Sequence, residues 1–250
     1  RVEVVYSADQ AVELALANGD TEVVFLAVGF ETTAPGAALA VLRARNENVP
    51  NFSMMTAQKA ILPAMETLLS QDDVRIDGFL CPGHVSVILG WKAYEPITAK
   101  YDRPCVVAGF DAPQVLASVE AILAQLISGR AEAASVYPSV AAEGNRRALE
   151  LLDEVFIASE ASWRGLGVIP ESGMELREAF ERFDAVNRFD LPDFPSREIP
   201  GCRCGDVICG RLHPTDCGLF GSQCTPRRAV GPCMVSSEGA CAAAYKYGPH

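Results

Sequence analysis

Apolar positions in the first 130 or so residues gather in short continuous runs. Each run ends in a small or polar loop. A longer stretch follows in which apolar residues recur every three or four positions. Val23 to Val28 (VVFLAV) leads through GFETTAPG into a helix predicted over Ala37–Arg45. Phe52 to Thr56 precedes a helix around Ala60–Leu69, and Ile76 to Leu80 leads through CPGH into VSVILGWKAY. Cys105 to Ala108 leads through GFDAPQ into a helix over Val115–Ile127. Short apolar strands alternating with amphipathic helices predict a parallel sheet with helices on both faces. The opening VEVVY and a helix over Ala8–Ala17 read as one more such unit. The fold class is therefore α/β, with doubly wound parallel sheet domains.

Beyond residue 128 the pattern changes. Ser128 to Ser139 is small and polar and reads as a connection. A helical stretch, EGNRRALELLDEVF, begins near Glu143. ASWRGLGVIPESGMEL follows, then a helix around Arg177–Phe183. Glycines at 165, 167 and 173 suggest tight turns or the close approach of another chain. The proline-rich FDLPDFPSREIPGC reads as an extended linker. The expected organisation is an α/β domain over 1–130, a continuation over 131–190, and a linker with a cysteine-rich segment over 191–250.

Composition narrows the partners. The chain has 250 residues, 49% of them hydrophobic and 21% charged, as in ordinary globular proteins. A net charge of −11 argues against broad binding to nucleic acid or an anionic membrane. No apolar run approaches the roughly 18 residues of a membrane span. No signal-peptide pattern opens the sequence, so a cytoplasmic location with reduced thiols is expected. The odd count of nine cysteines fits a closed set of disulfides poorly.

Three loops follow strands directly. In open α/β sheets ligands bind beyond the carboxyl ends of strands, so parallel strands would set all three loops on one edge. In GFETTAPG, Thr33 is placed to cap a helix with Pro35 in its first turn. Free N–H groups and the hydroxyls of Thr32 and Thr33 would suit a small anion, and Glu31 could handle a proton. The plainer reading is a capped helix with a solvated glutamate. CPGH sets Cys81 and His84 ahead of a helix, where a thiol pKa falls and an imidazole can hold a proton or metal. The plainer reading is a buried Cys and a capping His. Asp111 reads as a helix cap, and Cys105 as a core residue.

Seven of the nine cysteines crowd into the stretch from Cys202 to Cys241. The most evenly set are Cys217, Cys224, Cys233 and Cys241, separated by six, eight and seven residues. They lie among Gly, Pro, Ser and Thr rather than in an apolar run. Zinc favours two close Cys-x2–4-Cys knuckles, and Cys202-x-Cys204-x4-Cys209 only loosely resembles one. Wide gaps suit thiolates converging from loops on a 4Fe–4S cluster, with zinc the rival.

CGLFGSQCTPRRAVGPCMVSSEGACAAAYKYG resembles the C-terminal signature of the hydrogenase maturation factor HypD family. GFETTAP (29–35), PGHVS (82–86), AGFDAPQVL (108–116), EGNRRA (143–148) and WRGLGVIPESG (163–173) resemble that family in the same order. The resemblance implies a cytoplasmic assembly factor for nickel–iron hydrogenase. Such a factor helps build the Fe(CN)2CO unit with a small chaperone, HypC, and a cyanide donor, HypE. It implies a 4Fe–4S cluster on Cys217, Cys224, Cys233 and Cys241, supplying electrons where cyanide meets a transient iron. It also implies a cleft lined by Glu31, Thr32, Thr33 and His84. The family's CGGHTH and CPVC motifs do not occur in this sequence, which resembles roughly the C-terminal two-thirds of the family. The rival readings are a zinc-stabilised α/β metabolite-binding protein and an unrelated iron–sulfur redox enzyme.

Overall fold

The computed structural model describes residues 1–192 and 199–248. It divides into two compact units. Unit 1 holds Arg1–Pro63, Asp77–Glu160 and Pro170–Asp193, and unit 2 holds Ala64–Ile76, Ala161–Ile169 and Phe194–His250. Residues 193–198 of the proline-rich linker expected from Phe189 to Cys202 lie outside the described residues.

Unit 1 is α/β with parallel sheets. Helix α1 (Ala8–Ala17) precedes strand β1 (Val23–Gly29), helix α2 (Ala34–Asn46) and strand β2 (Phe52–Gln58); helix α3 (Ile61–Leu69) starts in unit 1 and ends in unit 2. β1 and β2 pair in parallel from Val23↔Phe52 to Gly29↔Gln58. α2 buries Ala34, Ala37, Ala38, Ala40, Val41 and Ala44. Such small side chains let a helix backbone approach its neighbours closely. The core here joins Val12, Val41, Phe52, Met54, Phe180 and Phe183. Burying each such side chain is worth about 1.5–3 kcal/mol.

The second sheet has the order β3 (Phe79–Pro82), β4, β5. Helices α4 (Gly83–Leu89) and α5 (Glu95–Tyr101) precede β4 (Cys105–Ala108), and α6 (Ala112–Ser128) precedes β5 (Ala133–Ser135). Both pairings are parallel. β5 lies within the stretch expected to be a connection. It is only three residues long and its signal is weak, because Ala-Ala-Ser holds no bulky apolar or β-branched side chain. VSVILGWKAY is not one helix. Gly90 (φ +84°) breaks it, and a Cβ there would lie 2.3 Å from the Ala142 carbonyl oxygen. The break admits the 141–145 segment, whose Asn145 N–H donates to Ile88 O at 2.9 Å.

Helix α7 (Arg146–Val155) starts at Asn145, whose side chain accepts from Ala148 N at 3.1 Å. Such a cap contributes about 1 kcal/mol. Strands β6 (Phe156–Trp163) and β7 (Gly167–Leu176) follow and form a two-stranded sheet. The helix expected over 177–183 is a 3-10 turn, Glu178–Phe183, which precedes the short α8 (Ala185–Arg188). Its tighter winding brings residues three apart into line, and Phe180 and Phe183 are both buried. The expected strand VEVVY does not form, and Val2, Val4 and Tyr6 are exposed.

Unit 2 is built from short pieces. Helices α9 (Cys204–Ile208), α10 (Pro232–Val235) and α11 (Ala240–Tyr247) surround a small core of Cys204, Cys224, Cys233, Met234 and Cys241. The loop 70–76 is tied to this segment. Arg75 N–H donates to Cys209 O at 2.9 Å, and Arg211 donates to Asp72 O at 3.1 Å.

Candidate functional site

The three strand-end loops do not share one sheet edge. GFETTAP follows β1, whereas CPGH and GFDAP follow β3 and β4 of the other sheet. Gly29 makes the first loop possible. It has φ +140°, and a Cβ there would sit 2.3 Å from Thr33 Oγ1. The loop folds back so that Thr33 Oγ1 donates to Phe30 O at 3.1 Å. Thr33 is at the α2 N-cap with Pro35 in the first turn, but its side chain makes no cap bond. Thr32 and Thr33 are exposed.

Glu31 is not the solvated glutamate of the plainer reading. It is 3% exposed. Its Oε1 accepts from Ile61 N at 2.9 Å, at the first residue of α3. Its Oε2 has no hydrogen-bond partner. Burial pushes its carboxyl pKa up, against the pull of the backbone hydrogen bonds. Gln58 is equally buried, with its Oε1 unpartnered and its Nε2 3.5 Å from Thr33 Oγ1. Gln58 was not picked out from the sequence, because a Gln at a strand end carries no distinctive signal.

Cys81 is the last but one residue of β3 rather than a loop thiol, and it is buried. Burial first, then the neighbouring Cys105 thiol, raises its pKa well above the ordinary value. This is the opposite of the lowering expected from its position before a helix. Cys105 is fully buried, as expected of a core residue. Asp111 is the α6 N-cap by position, without a side-chain cap bond.

His84 is exposed in the first turn of α4. Its ring lies 4.1 Å from that of Phe110, and Phe110 meets Tyr137 edge-on at 6.2 Å. The CPGH and GFDAP loops therefore do share an edge, as parallel strands require. Gly83 allows this, since a Cβ there would be 2.5 Å from Ala108 O and 2.8 Å from the Tyr137 ring. Below the loop, Ser86 Oγ donates to Pro82 O at 2.8 Å. Its single proton is thereby used, so the Tyr94 hydroxyl, 2.9 Å away, is the donor to Ser86. Tyr94 is fully buried, and its pKa is raised by burial first. The charges of Cys81 and Glu31 add to that rise, so Glu31 lies within electrostatic reach of this loop's support.

Unit 2 gathers six cysteines, the four evenly spaced ones together with Cys202 and Cys204. Cys202 Sγ lies 3.3 Å from Cys204 Sγ, and Cys233 packs in the same core as Cys204. A cavity is walled by Cys202, Cys204, Cys217, Cys224 and Cys241, with Leu219, Phe220 and Met234 among its apolar neighbours. Cys233 belongs to the same core without lining that cavity. Gly231 lets its loop close on the thiols, since a Cβ there would be 2.5 Å from both Cys202 and Cys204 Sγ. Burial raises the Cys202 and Cys241 thiols to about 11. Val230 N–H donates to Cys224 Sγ at 3.4 Å. Cys209 stands apart, with its thiol 3.2 Å from Gln71 Oε1. The one-residue spacing of Cys202 and Cys204, read in the sequence as half of a loose knuckle, sets both thiols on this cavity.

Among the described residues, no three His, Cys, Asp or Glu side chains are already disposed to hold one metal ion. The soft, all-sulfur donor set and its apolar wall fit an iron–sulfur cluster, whose several metals keep the ligands apart. The WRGLG turn packs against this segment. A Cβ on Gly205 would be 2.4 Å from Gly165 O, so the close approach expected of those glycines occurs within the chain itself.

The sequence profile described as HypD, hydrogenase formation hypA family, matches residues 1–248. A hydrogenase expression/formation protein of Methanocaldococcus jannaschii is 42% identical over 247 residues, covering 98% of this chain and 69% of that protein. The hydrogenase maturation factor HypD of Cupriavidus necator is 42% identical over 255 residues, covering 99% and 67%. HypD of Escherichia coli K12 is 40% identical over 248 residues, covering 98% and 66%. The chain thus spans about two thirds of the length of these relatives, and it belongs to the HypD family of hydrogenase maturation factors.

Proposed function

We propose that the protein is a redox-active assembly scaffold in nickel–iron hydrogenase maturation, working in the cytoplasm with HypC-type and HypE-type partners on iron destined for Fe(CN)2CO. The observation that carries this reading is the gathering of five thiols around an apolar cavity, with a sixth in the same core, in a member of this family. A 4Fe–4S cluster would supply electrons there, at a potential set by burial and by hydrogen bonds to sulfur.

Four of the six cysteines would hold the cluster. Cys217, Cys224 and Cys241 stand on the cavity wall. Cys233, the fourth member of the evenly spaced set, belongs to the same core without lining that wall. We take Cys217, Cys224, Cys233 and Cys241 as the ligands, with the Cys202 and Cys204 thiols close at hand on the wall. The raised thiol pKa values mean that the ligands must lose protons as they bind, so loading is favoured as pH rises.

In unit 1, Glu31 would hold a proton on Oε2, next to exposed Thr32 and Thr33, whose hydroxyls would orient a small polar ligand. His84, held against Phe110, would give or take a proton at the other loop. Anaerobic purification tests the cluster. The expected protein is brown, holds about four irons in keeping with that cluster type, and bleaches with dithionite. Cys233→Ala should lose the colour and the iron while Cys105→Ala keeps both; a Cys233→Ala protein that keeps its iron would overturn that ligand set. A colourless protein carrying zinc would favour the metabolite-binding rival. A stable cluster without affinity for a HypC-type chaperone would favour the unrelated redox enzyme.

A further inference from the structure

The cysteine-rich segment carries an excess of positive charge on an acidic chain. The chain as a whole stands at −11, whereas residues 199–248 hold five Arg or Lys against three Asp or Glu. Asp206 is taken up by Arg203 and Arg211. Lys246 lies over the Tyr247 ring, 4.9 Å from its centre. Arg227 and Arg228 are exposed, and among the described residues no acidic side chain pairs with either. Both ride on the loop that joins Cys224 to Cys233, and that loop is fastened at its base. Thr225 N–H donates to Arg228 O at 3.1 Å, and Arg228 N–H donates back to Thr225 O at 3.0 Å. Between them Pro226 fixes one backbone angle. The returning arm is tied to the thiol wall, where Val230 N–H donates to Cys224 Sγ at 3.4 Å. Arg228 is four residues from Cys224, so at most about 14 Å of chain separates them. The turn shortens that path.

Two unpaired guanidiniums fixed beside a thiol-lined cavity fit an anionic partner. They can donate charge-assisted hydrogen bonds to carboxylates, and a turn ordered in advance loses little freedom on binding. A net charge of −11 repels an acidic protein at long range, so such a partner is steered to a region where positive charge is in excess. Electron-transfer encounters bury little surface, so a short charged turn is enough to orient one. We infer that the 225–228 turn is the docking surface for an acidic one-electron carrier protein, which reduces the cluster by way of the Cys224 loop. The inference rests on the cluster reading given above. The step moves one electron from the reduced carrier to the oxidised cluster; no bond forms or breaks, and no proton is transferred.

The test uses the 250-residue protein as purified anaerobically, with reduced plant-type 2Fe–2S ferredoxin as the acidic carrier. Calorimetry reads the dissociation constant, and stopped-flow mixing reads the rate at which the cluster bleaches. Binding should weaken as salt shortens the reach of charge from about 30 Å at 0.01 M to about 8 Å at 0.15 M. Arg227→Gln with Arg228→Gln should weaken binding and slow bleaching by about tenfold or more, the range that steering supplies. Arg227→Lys with Arg228→Lys keeps the charge and should keep most of both. Arg146→Gln with Arg147→Gln removes the same charge from unit 1, at side chains 92% and 74% exposed, and should change neither. Dithionite should bleach every variant to completion. A chain that dithionite bleaches but that ferredoxin leaves oxidised, or does not bind, would overturn this inference alone. Equal losses in the two glutamine pairs would do the same, by assigning the effect to net charge. A chain without iron would overturn the cluster reading and this inference with it.

Discussion

At the scale of single residues, buried polar groups with incomplete partners set the chemistry. Glu31 is the clearest, with one oxygen on the first N–H of α3 and the other unpartnered. Its folded pKa is raised above the ordinary 4.5, so the folded state holds the proton more tightly than the unfolded chain. The sign follows from linkage. Stability is fullest below about pH 4.5 and falls as pH rises from there through the raised folded value. Glu31→Gln should flatten that part of the stability profile, measured by urea unfolding across pH; an unchanged slope would place the proton elsewhere. Tyr94→Phe removes the donor to Ser86 and should cost about 1 kcal/mol without changing the fold. The identity of Glu31 as a site residue was legible from its loop. Its burial was not, because whether a loop carboxylate meets water depends on α3, which begins thirty residues later.

At the scale of elements, glycines decide where helices break and loops close. α4 ends at Gly90 because its φ of +84° and the Ala142 carbonyl leave no room for a side chain. Gly90→Ala should destabilise unit 1 by about 1–3 kcal/mol, combining strained backbone and steric conflict. Gly36 offers a control within α2, where a Cβ would meet nothing within 4 Å. Gly36→Ala should raise stability by about 0.5–1 kcal/mol. Chemical denaturation of both variants checks the contrast. The strands Val23–Val28 and Cys105–Ala108 and the helix Ala8–Ala17 were readable from periodicity, since each buries one stripe or both faces. β5 and the break at Gly90 were not, because each depends on a segment distant in sequence.

At the scale of the molecule, the two units differ in what holds them. Unit 1 has an apolar core of alanines, valines and phenylalanines, whereas the small core of unit 2 is largely sulfur. A bound cluster would therefore supply much of unit 2's stability, as metals do in small domains with few apolar side chains. Removing iron by chelation under mild oxidation should speed hydrogen exchange across α9, α10 and α11. Exchange in α1, α2 and β2 should stay as it was. Equal effects on both units would mean that the cluster is not the support of unit 2.

The sequence by itself determined the α/β class, the order of most strands and helices, the family, and the segment that carries the thiols. These are local or linear properties: the period of apolar residues, the glycines and prolines at turns, and the density of cysteines. Only the tertiary structure decided which cysteines share a cavity and which loops share a sheet edge. Those depend on groups far apart in the chain meeting through packing. Cys202, Cys204, Cys217, Cys224 and Cys241 line one cavity, with Cys233 in the core beside it, because helices α9, α10 and α11 pack around a common core that linear spacing does not encode.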